Sequence, residues 1–276
     1  MAPSPVKWQK LKRVALIGTY LPRRCGIATF TSDVFRSLNE TYPELDTWVV
    51  AMNDRPEGYH YPPAVKFEIN EKRAVDYRLA AEFLNMSEVD LVCIQHEYGI
   101  FGGKEGRMIL DLIKRLHIPV VVTLHTVLKQ PHEAMLEVTR ELAELADTLV
   151  VLSHRGEEFL RDNYGIAPEK IAMIPHGIPD LPFVDPNFYK DQFDVAGKNV
   201  ILTFGLLGPS KGIENMIDAM PAIVEKHPDT VYIVLGATHP GVLADQGENY
   251  RNGLMKRTEQ LGVADNVVFV NKFVEM

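Results

Sequence analysis

Short, uninterrupted runs of apolar residues recur along the chain, and each is followed by a polar or glycine-rich loop. The runs do not alternate with polar residues, which indicates strands that are buried on both faces. Nine strands are predicted, at Val14–Gly18, Thr47–Met52, Leu91–Gln95, Pro119–Leu124, Thr148–Leu152, Ile171–Ile174, Asn199–Phe204, Val231–Leu235 and Val267–Val270. Segments with apolar residues at helical spacing lie between them, among them Phe30–Leu38, Met108–Leu116 and Gly212–Lys226. Strands that alternate with helices predict an α/β fold with parallel sheets.

A cluster of prolines, Pro179, Pro182 and Pro186, separates two series of strands. We predict a first lobe over residues 1–185, a linker over 186–198 and a second lobe over 199–276. The second series has three predicted strands, and the sequence after Val270 is too short to supply the next covering helix. Since a parallel sheet needs helices on both faces, we expect an incomplete second lobe and a chain that is a fragment of a longer protein.

Composition and charge narrow the class of protein. The hydrophobic fraction of 46% and the charged fraction of 24% are typical of a folded soluble protein. The net charge of −8 disfavours a nucleic-acid partner, because such proteins carry a concentrated basic face. No apolar run is long enough to span a bilayer or to form a signal peptide. Two cysteines, Cys25 and Cys93, do not make a disulfide framework, and we interpret them as reduced thiols in a cytoplasmic protein.

The loop after the first strand is a candidate binding site, because ligands of open parallel sheets bind at the carboxyl ends of strands. This loop contains Arg23, Arg24 and Gly26 and leads into a helix. The N-terminus of a helix presents unpaired amides and a partial positive charge, which favour an anion such as phosphate. The loop matches neither the dinucleotide fingerprint nor the P-loop, and an ordinary strand-to-helix connection is the alternative.

Histidines follow three further strands of the first lobe. His96 and Glu97 are either substrate-binding groups or a structural hydrogen-bonded pair that positions the loop. His125 directly follows a strand, where it either orients a substrate or is a satisfied structural residue. His176 either points to the site or caps a turn, whereas His132 is expected at the start of a helix.

The second lobe has two glycine-rich loops after its first two strands, Gly205–Gly212 and Gly236–Gly241. Lys211 precedes a predicted helix, so that its ammonium group and the helix N-terminus can bind the same anion. The sequence has no Asp-x-Asp motif, no H-E-x-x-H motif and no paired C-x-x-C motif. These patterns together predict a two-domain protein that binds phosphate without a metal.

Taken together, the loops resemble those of glycosyltransferase family 4, retaining enzymes with the two-lobed GT-B fold. The resemblance is carried by Pro22–Phe30, Val121–Thr126, Lys170–Gly177, Thr203–Gly212 and Asp265–Phe269. It implies two Rossmann-like lobes with parallel sheets. It also implies metal-independent transfer of a sugar, with retention, from a nucleotide-diphosphate donor to a carbohydrate or lipid acceptor. No cofactor other than the donor substrate is implied.

The resemblance also implies roles for individual residues. His125 matches the strand-end histidine beside the reacting sugar, and Gly26 matches the glycine whose amide faces the diphosphate. Lys211 matches the lysine that binds the donor phosphate and stabilises the departing charge. His125 and Lys211 are therefore the expected catalytic residues. The expected donor-phosphate site consists of Gly26, Gly205, Lys211 and Gly212. The other candidates for substrate binding are Arg23, Arg24, His96, Glu97 and His176.

Two departures from the family pattern bear on activity. Leu206 occupies the position of the usual arginine, so that one of two phosphate-binding cations is missing. The family's Glu-x7-Glu element, which contacts the donor sugar and nucleoside, falls beyond Met276. From these departures we expect the chain alone to bind donor weakly and to turn over little.

Other functions remain as alternatives. A sugar synthase or phosphorylase on the same GT-B scaffold is one, and a degenerate, non-catalytic nucleotide-sugar-binding protein is another. Leu206 favours the non-catalytic protein, whereas His125 and Lys211 count against it. The missing dinucleotide fingerprint disfavours an oxidoreductase. Peripheral contact with the inner face of a membrane through Lys7–Arg13 is a further alternative, although neither lobe carries a net positive charge.

Overall fold

The computed structural model describes residues 11–178 and 181–273. The chain divides into two compact units, Met1–Ile178 and Pro179–Met276, here called unit 1 and unit 2. Lys7 and Lys10 of the basic segment, and Pro179 of the proline cluster, lie outside the described residues. Within the described ranges, no helix combines the length and the apolar character that a bilayer crossing requires.

The two units divide between Ile178 and Pro179, which lies before the boundary at residue 185 that the prolines suggest. The segment interpreted as a linker contains a short helix, Pro186–Lys190. The carboxylate of Asp185 caps this helix by accepting a hydrogen bond from the amide of Asn187 at 2.9 Å. Proline suits the first turn of a helix, because its missing amide hydrogen would have no partner there. Pro186 therefore begins a helix within the segment expected to be a linker.

Unit 1, over residues 11–178, is a seven-stranded parallel sheet with the order β3-β2-β1-β4-β5-β6-β7. Its strands are β1 (Arg13–Gly18), β2 (Asp46–Asn53), β3 (Val65–Asn70), β4 (Leu91–His96), β5 (Val120–Leu124), β6 (Thr148–Val151) and β7 (Ile171–Met173). Its helices are α1 (Gly26–Thr41), α2 (Ala74–Met86), α3 (Met108–Ile113), α4 (Glu133–Leu145) and α5 (His154–Asp162).

Alternate residues of β1 enter two different cores, because successive side chains of a strand point to opposite faces. Val14 and Leu16 pack with side chains of α1, whereas Ala15 and Ile17 join a larger core that includes side chains of α2 and α4. All four residues are almost completely buried. The sheet of unit 1 is therefore covered on both faces, as its unbroken apolar runs predict.

Unit 2, over residues 181–273, contains a three-stranded parallel sheet with the order β10-β9-β8. Its strands are β8 (Asn199–Phe204), β9 (Thr230–Leu235) and β10 (Val267–Val270). Its helices are α6 (Pro186–Lys190), α7 (Ile213–Lys226), α8 (Pro240–Gln246) and α9 (Asn249–Gln260). The central strand β9 is buried on both faces, with Tyr232 and Val234 in one core and Val231 and Ile233 in the other.

The α/β class with parallel sheets is confirmed, and all nine predicted strands are present to within one residue of their predicted ends. Strand β3 and helices α2, α5, α6 and α8 have no counterpart among the predicted elements. β3 lies at the edge of the sheet, where the exposed residues Lys66 and Glu68 alternate with half-buried or buried ones along VKFEIN. Lys66 and Glu68 therefore interrupt the apolar pattern that marks the other strands.

Candidate functional site

The carboxyl ends of β1, β4 and β5 lie side by side in unit 1 and bring several of the predicted residues together. The amide of His125, which follows β5, donates a hydrogen bond to the carbonyl of His96, the last residue of β4, at 3.0 Å. Gly18 ends β1 next to Gln95, where an added Cβ would lie 3.1 Å from the Gln95 Cβ. The ends of these three strands therefore lie close together, at the edge of the sheet where the sequence predicts a binding site.

The side chain of His125 is held on two sides. Its Nε2 lies 3.0 Å from Oε1 of Gln95, a residue that is 2% exposed. The ring of Phe30, from the first turns of α1, contacts the His125 ring edge-on at a centroid distance of 4.6 Å and also contacts His176. Burial, together with nearby His176, lowers the pKa of His125 to about 4. His125 is therefore a neutral hydrogen-bonding group near pH 7.

His96 is completely buried beneath this edge. Its ring stacks on Phe101 and meets Tyr98 edge-on, with centroid distances of 5.7 Å and 5.0 Å. Neither ring nitrogen has a hydrogen-bond partner among the residues that the structure describes. Burial, with a smaller contribution from His125, lowers the pKa of His96 to about 3. His96 is therefore a neutral residue buried in the core of unit 1.

Glu97 connects two loops of the edge and is not bonded to His96. One carboxylate oxygen accepts a hydrogen bond from the Thr126 hydroxyl at 2.6 Å. The other accepts one from the amide of Tyr98 at 3.0 Å and so caps the turn that follows β4. Both oxygens of Glu97 thus hold the loops after β4 and β5 against each other.

Gly26 begins α1 at an exposed position, and a Cβ added there would meet nothing within 4 Å. The preceding residue, Cys25, caps the helix with its Sγ atom, which accepts a hydrogen bond from the amide of Ala28 at 3.4 Å. No acidic residue occupies the first turn of α1. The first amides of a helix have no partner within the helix, so this end of α1 can accept an anion.

The two arginines of the same loop differ in their surroundings. The Arg23 guanidinium donates to the carbonyl of Met52 at 3.1 Å and lies 3.4 Å from Asp54 and 3.9 Å from Glu71. Its side chain is 11% exposed. The positive charge of Arg23 is therefore compensated by the carboxylates of Asp54 and Glu71, in the loops after β2 and β3. The Arg24 side chain is exposed.

The two glycine-rich loops of unit 2 contact each other where β8 and β9 end. Gly205 has φ +120°, a conformation that side chains rarely adopt. A Cβ added to Gly236 would lie 1.8 Å from the carbonyl oxygen of Gly205. Backbone hydrogen bonds from Leu207 to Ala237 and from His239 to Leu207 connect the loops further. The glycines therefore permit a close contact between the two loops.

Replacing Gly236 with alanine is expected to destabilise unit 2 by about 1–3 kcal/mol, because its methyl group would overlap backbone atoms that no rotamer change can move. The matched control is Gly253→Ala in the middle of α9, where a Cβ meets nothing within 4 Å. The control should stabilise the unit by about 0.5–1 kcal/mol through helix propensity. Urea unfolding of both variants provides the measurement. Equal stabilities would contradict the close contact.

Lys211 ends a short turn, Pro209–Lys211, directly before α7. Gly212 lies between them with φ +62° and is the N-cap of this helix of 14 residues. Lys211 is exposed, and its ammonium group has no hydrogen bond or ion pair with the described part of the chain. A cation without a partner beside the N-terminus of a long helix is a favourable arrangement for a phosphate group.

Several of the predicted residues thus have defined contacts in the structure, among them His125, Glu97 and Arg23. The structure also adds two residues, Gln95 and Phe30, to which the sequence assigned no role at the site. The sequence signal for Gln95 is a polar side chain at the end of a buried apolar strand. Within residues 11–178 and 181–273, no group of three or more histidine, cysteine or acidic side chains is arranged to hold a metal ion.

Comparisons with known sequences match the two parts of the chain separately. The family model described as Glycosyltransferase Family 4 matches residues 26–180, and the one described as Glycosyl transferases group 1 matches residues 186–274. The D-inositol 3-phosphate glycosyltransferase of Segniliparus rotundus is 26% identical over 188 residues, which cover 62% of this chain and 39% of that protein. The enzyme of the same description from Nocardiopsis dassonvillei is 28% identical over 205 residues, with coverages of 68% and 46%. The chain therefore spans less than half of the length of these two relatives.

A solved structure with a similar fold is that of Anabaena HepE in complex with UDP and glucose. The TM-score is 0.69 at 17% sequence identity, and the alignment covers 93% of this chain and 68% of HepE. At this identity the similarity concerns the fold. It agrees with the two Rossmann-like lobes of the predicted GT-B fold.

Proposed function

Because the family model covers more than half of its residues, the chain belongs to Glycosyltransferase Family 4, and we propose that it transfers a sugar from a nucleotide-diphosphate donor to a carbohydrate or lipid acceptor. We take the transfer to proceed with retention at the sugar carbon and without a metal ion, as the sequence resemblance implies. The observation that carries the proposal is the unpaired Lys211 at the N-terminus of α7.

The chemistry of the leaving group explains why this observation is informative. When a sugar leaves a nucleotide-sugar, negative charge develops on the nucleoside diphosphate. A fixed ammonium group and the positive end of a helix stabilise that charge without reorganisation, which lowers the barrier. Leu206 occupies the position of a second cation, so Lys211 bears this role in the loop between β8 and α7. Because Leu206 leaves the second cation missing, we propose that sugar transfer by this chain is slow.

In unit 1, His125 is the group proposed to hold a hydroxyl of the sugar. Its low pKa keeps the ring neutral, and a neutral imidazole can accept a hydrogen bond from a hydroxyl group. The amide of Gly26, an exposed residue at the start of α1, is proposed to donate to a phosphate oxygen of the donor.

The proposal is tested first by binding and then by transfer. Calorimetric titration with UDP, GDP, ADP and TDP should identify one diphosphate that binds more tightly than its monophosphate and its nucleoside. UDP is the first choice, because the HepE structure contains it. The corresponding UDP-sugars are then incubated with candidate acceptors, and nucleotide release is followed. A protein that binds none of the diphosphates would refute the proposal. Binding without release to any acceptor would favour the non-catalytic alternative, for which Leu206 is the supporting observation.

Gly26 provides a separate test in unit 1. Gly26→Ala should leave the thermal unfolding midpoint unchanged or slightly raised, because the new methyl group meets nothing within 4 Å and alanine favours a helix. We expect the affinity for the diphosphate to fall about tenfold, since the methyl group would stand beside the amide that donates to phosphate. Calorimetry and thermal unfolding of the same preparation measure the two effects. An unchanged affinity would exclude Gly26 from the donor site.

A further inference from the structure

We propose that Gln95 is a positioning residue that fixes His125 as the tautomer with its proton on Nε2, so that Nδ1 accepts a hydrogen bond from a hydroxyl of the bound sugar. The inference rests on the proposed function for the identity of the ligand. Its structural part, the tautomer, concerns this chain alone. Among the residues described, Gln95 is the side chain within hydrogen-bond distance of a ring nitrogen of His125.

The backbone places the two side chains next to each other. β4 and β5 pair in parallel, with Gln95 opposite Thr123 and His96 opposite Leu124. The hydrogen bond from the His125 amide to the His96 carbonyl extends this pairing by one residue beyond β5. His125 is therefore fixed at its backbone before its side chain makes any contact.

The stem of Gln95 has little freedom to move. Its Cβ and Cγ lie 3.1 Å and 3.6 Å from the point where a Cβ of Gly18 would stand, and Thr31 of α1 borders the same space. The residue is 2% exposed. A buried side chain confined between β1 and α1 holds its terminal amide in one place. Gly18 thus leaves the room that Gln95 requires.

The direction of the hydrogen bond follows from the chemistry of the two groups. The structure places Oε1 of Gln95 3.0 Å from Nε2 of His125. In this placement of the carboxamide Nε2 is the donor, because an amide oxygen only accepts. In a neutral imidazole the other nitrogen then carries the lone pair. Nδ1 has no hydrogen-bond partner among the described residues, and the His125 side chain as a whole is partly exposed. A hydrogen-bond donor is the complementary ligand for this nitrogen.

This arrangement distinguishes between parts of a nucleotide-sugar. A phosphate oxygen at neutral pH is an acceptor and does not complement the lone pair of Nδ1, whereas a sugar hydroxyl donates to it. The edge-on contact between the rings of Phe30 and His125, with a centroid distance of 4.6 Å, restricts rotation of the His125 ring. The titratable groups around His125 are His96 and His176, and the Glu97 carboxylate nearby is already bonded to Thr126 and Tyr98. His125 is thus arranged for a hydroxyl of the sugar.

The tautomer is measured by long-range ¹H–¹⁵N correlation spectra of the chain labelled with ¹⁵N-histidine, with the His125 signals assigned by their loss in His125→Asn. We expect the Nε2–H pattern in the unsubstituted protein and a mixture of tautomers in Gln95→Leu. Gln95→Glu should restore the Nε2–H pattern, because a carboxylate also accepts from Nε2. Gln260→Leu, at the exposed end of α9, is the matched control and should leave the spectrum unchanged. The Nδ1–H pattern in the unsubstituted protein, or no change in Gln95→Leu, would overturn the proposal.

Sugar transfer supplies the second readout. Gln95→Leu should lower kcat/KM about 10- to 100-fold, as expected when the partner that orients an imidazole is lost. Gln95→Glu should recover part of the rate, and the acid limb of its pH profile should move upward by about 1–3 pH units, because a carboxylate favours the protonated ring. A normal rate in Gln95→Leu would overturn the positioning role. Failure of the proposed function would instead appear as absent diphosphate binding, which the tautomer measurement does not involve.

Discussion

Lys211→Ala is expected to weaken the binding of the preferred nucleoside diphosphate about 10- to 100-fold and to slow sugar transfer about 10²- to 10³-fold. The effect on transfer is expected to be larger because, in the proposed role, the lysine would contribute most when negative charge develops on the leaving diphosphate. The ammonium group is exposed and unpaired within the described part of the chain. Its removal therefore breaks no internal contact, and the unfolding midpoint should remain the same.

Two further variants make this prediction specific. Lys256→Ala, on the exposed surface of α9, removes the same charge elsewhere in unit 2 and should change neither binding nor rate. Leu206→Arg restores the cation that the family pattern contains and should strengthen diphosphate binding about tenfold. Calorimetric titration and initial rates of nucleotide release are the measurements. If Lys211→Ala and Lys256→Ala behave alike, Lys211 is not the phosphate-binding cation.

The free energy of unfolding of unit 1 is expected to fall steeply below about pH 6.5 because of His96. Burial lowers the pKa of this histidine from 6.5 to about 3 in the folded chain. Between these two values the unfolded chain binds a proton at residue 96 and the folded chain does not. Stability is then lost at about 1.4 kcal/mol for each pH unit as the pH decreases. The stabilising contribution of neutral His96 is fully present above pH 6.5, its pKa in the unfolded chain, and is completely lost near pH 3.

Other groups also titrate in this range, so the measured quantity is a difference between variants. Burial lowers the pKa of His125 and adds to the loss at low pH, whereas burial raises the pKa of Glu71 and acts in the opposite direction. His96→Phe removes the proton-binding group together with two buried nitrogens that have no partner in the described part of the chain. Its stability should therefore depend less on pH by about 1.4 kcal/mol per unit.

The slope is measured by urea unfolding at several pH values between 4 and 7. The fluorescence of Trp48, which is almost completely buried in unit 1, reports this unit, and a Trp8→Phe background removes the second tryptophan. His117→Phe, at an exposed position, is the matched control and should keep the original slope. Equal slopes for His96→Phe and the unsubstituted chain would show that His96 takes up its proton as easily in the folded as in the unfolded chain.

The secondary structure was largely readable from the sequence because parallel strands that are buried on both faces are apolar without interruption. Strand β1 is an example, since Val14 and Leu16 face one core and Ala15 and Ile17 the other. The same reasoning failed for β3. At the edge of the sheet, alternate residues such as Lys66 and Glu68 meet solvent or polar neighbours, and the continuous apolar signal is lost.

The positions of the candidate residues were also readable, because chemistry in such folds lies at the carboxyl ends of strands. The sequence located Gly26, His125 and Lys211 at the ends of β1, β5 and β8. It did not reveal what surrounds them. Arg23 is compensated by Asp54 and Glu71, which lie more than 30 positions further along the chain.

The sequence by itself therefore determined the fold class, the alternation of strands and helices, and which loops carry the candidate groups, since these depend on local patterns of side chains. The tertiary structure decided the state of each group. It made His96 a buried neutral residue, connected Gln95 to His125 and left Lys211 without a partner among the described residues. The physical reason is that charge, protonation and hydrogen bonding depend on neighbours in space, and those neighbours come from distant strands that only the folded sheet brings together.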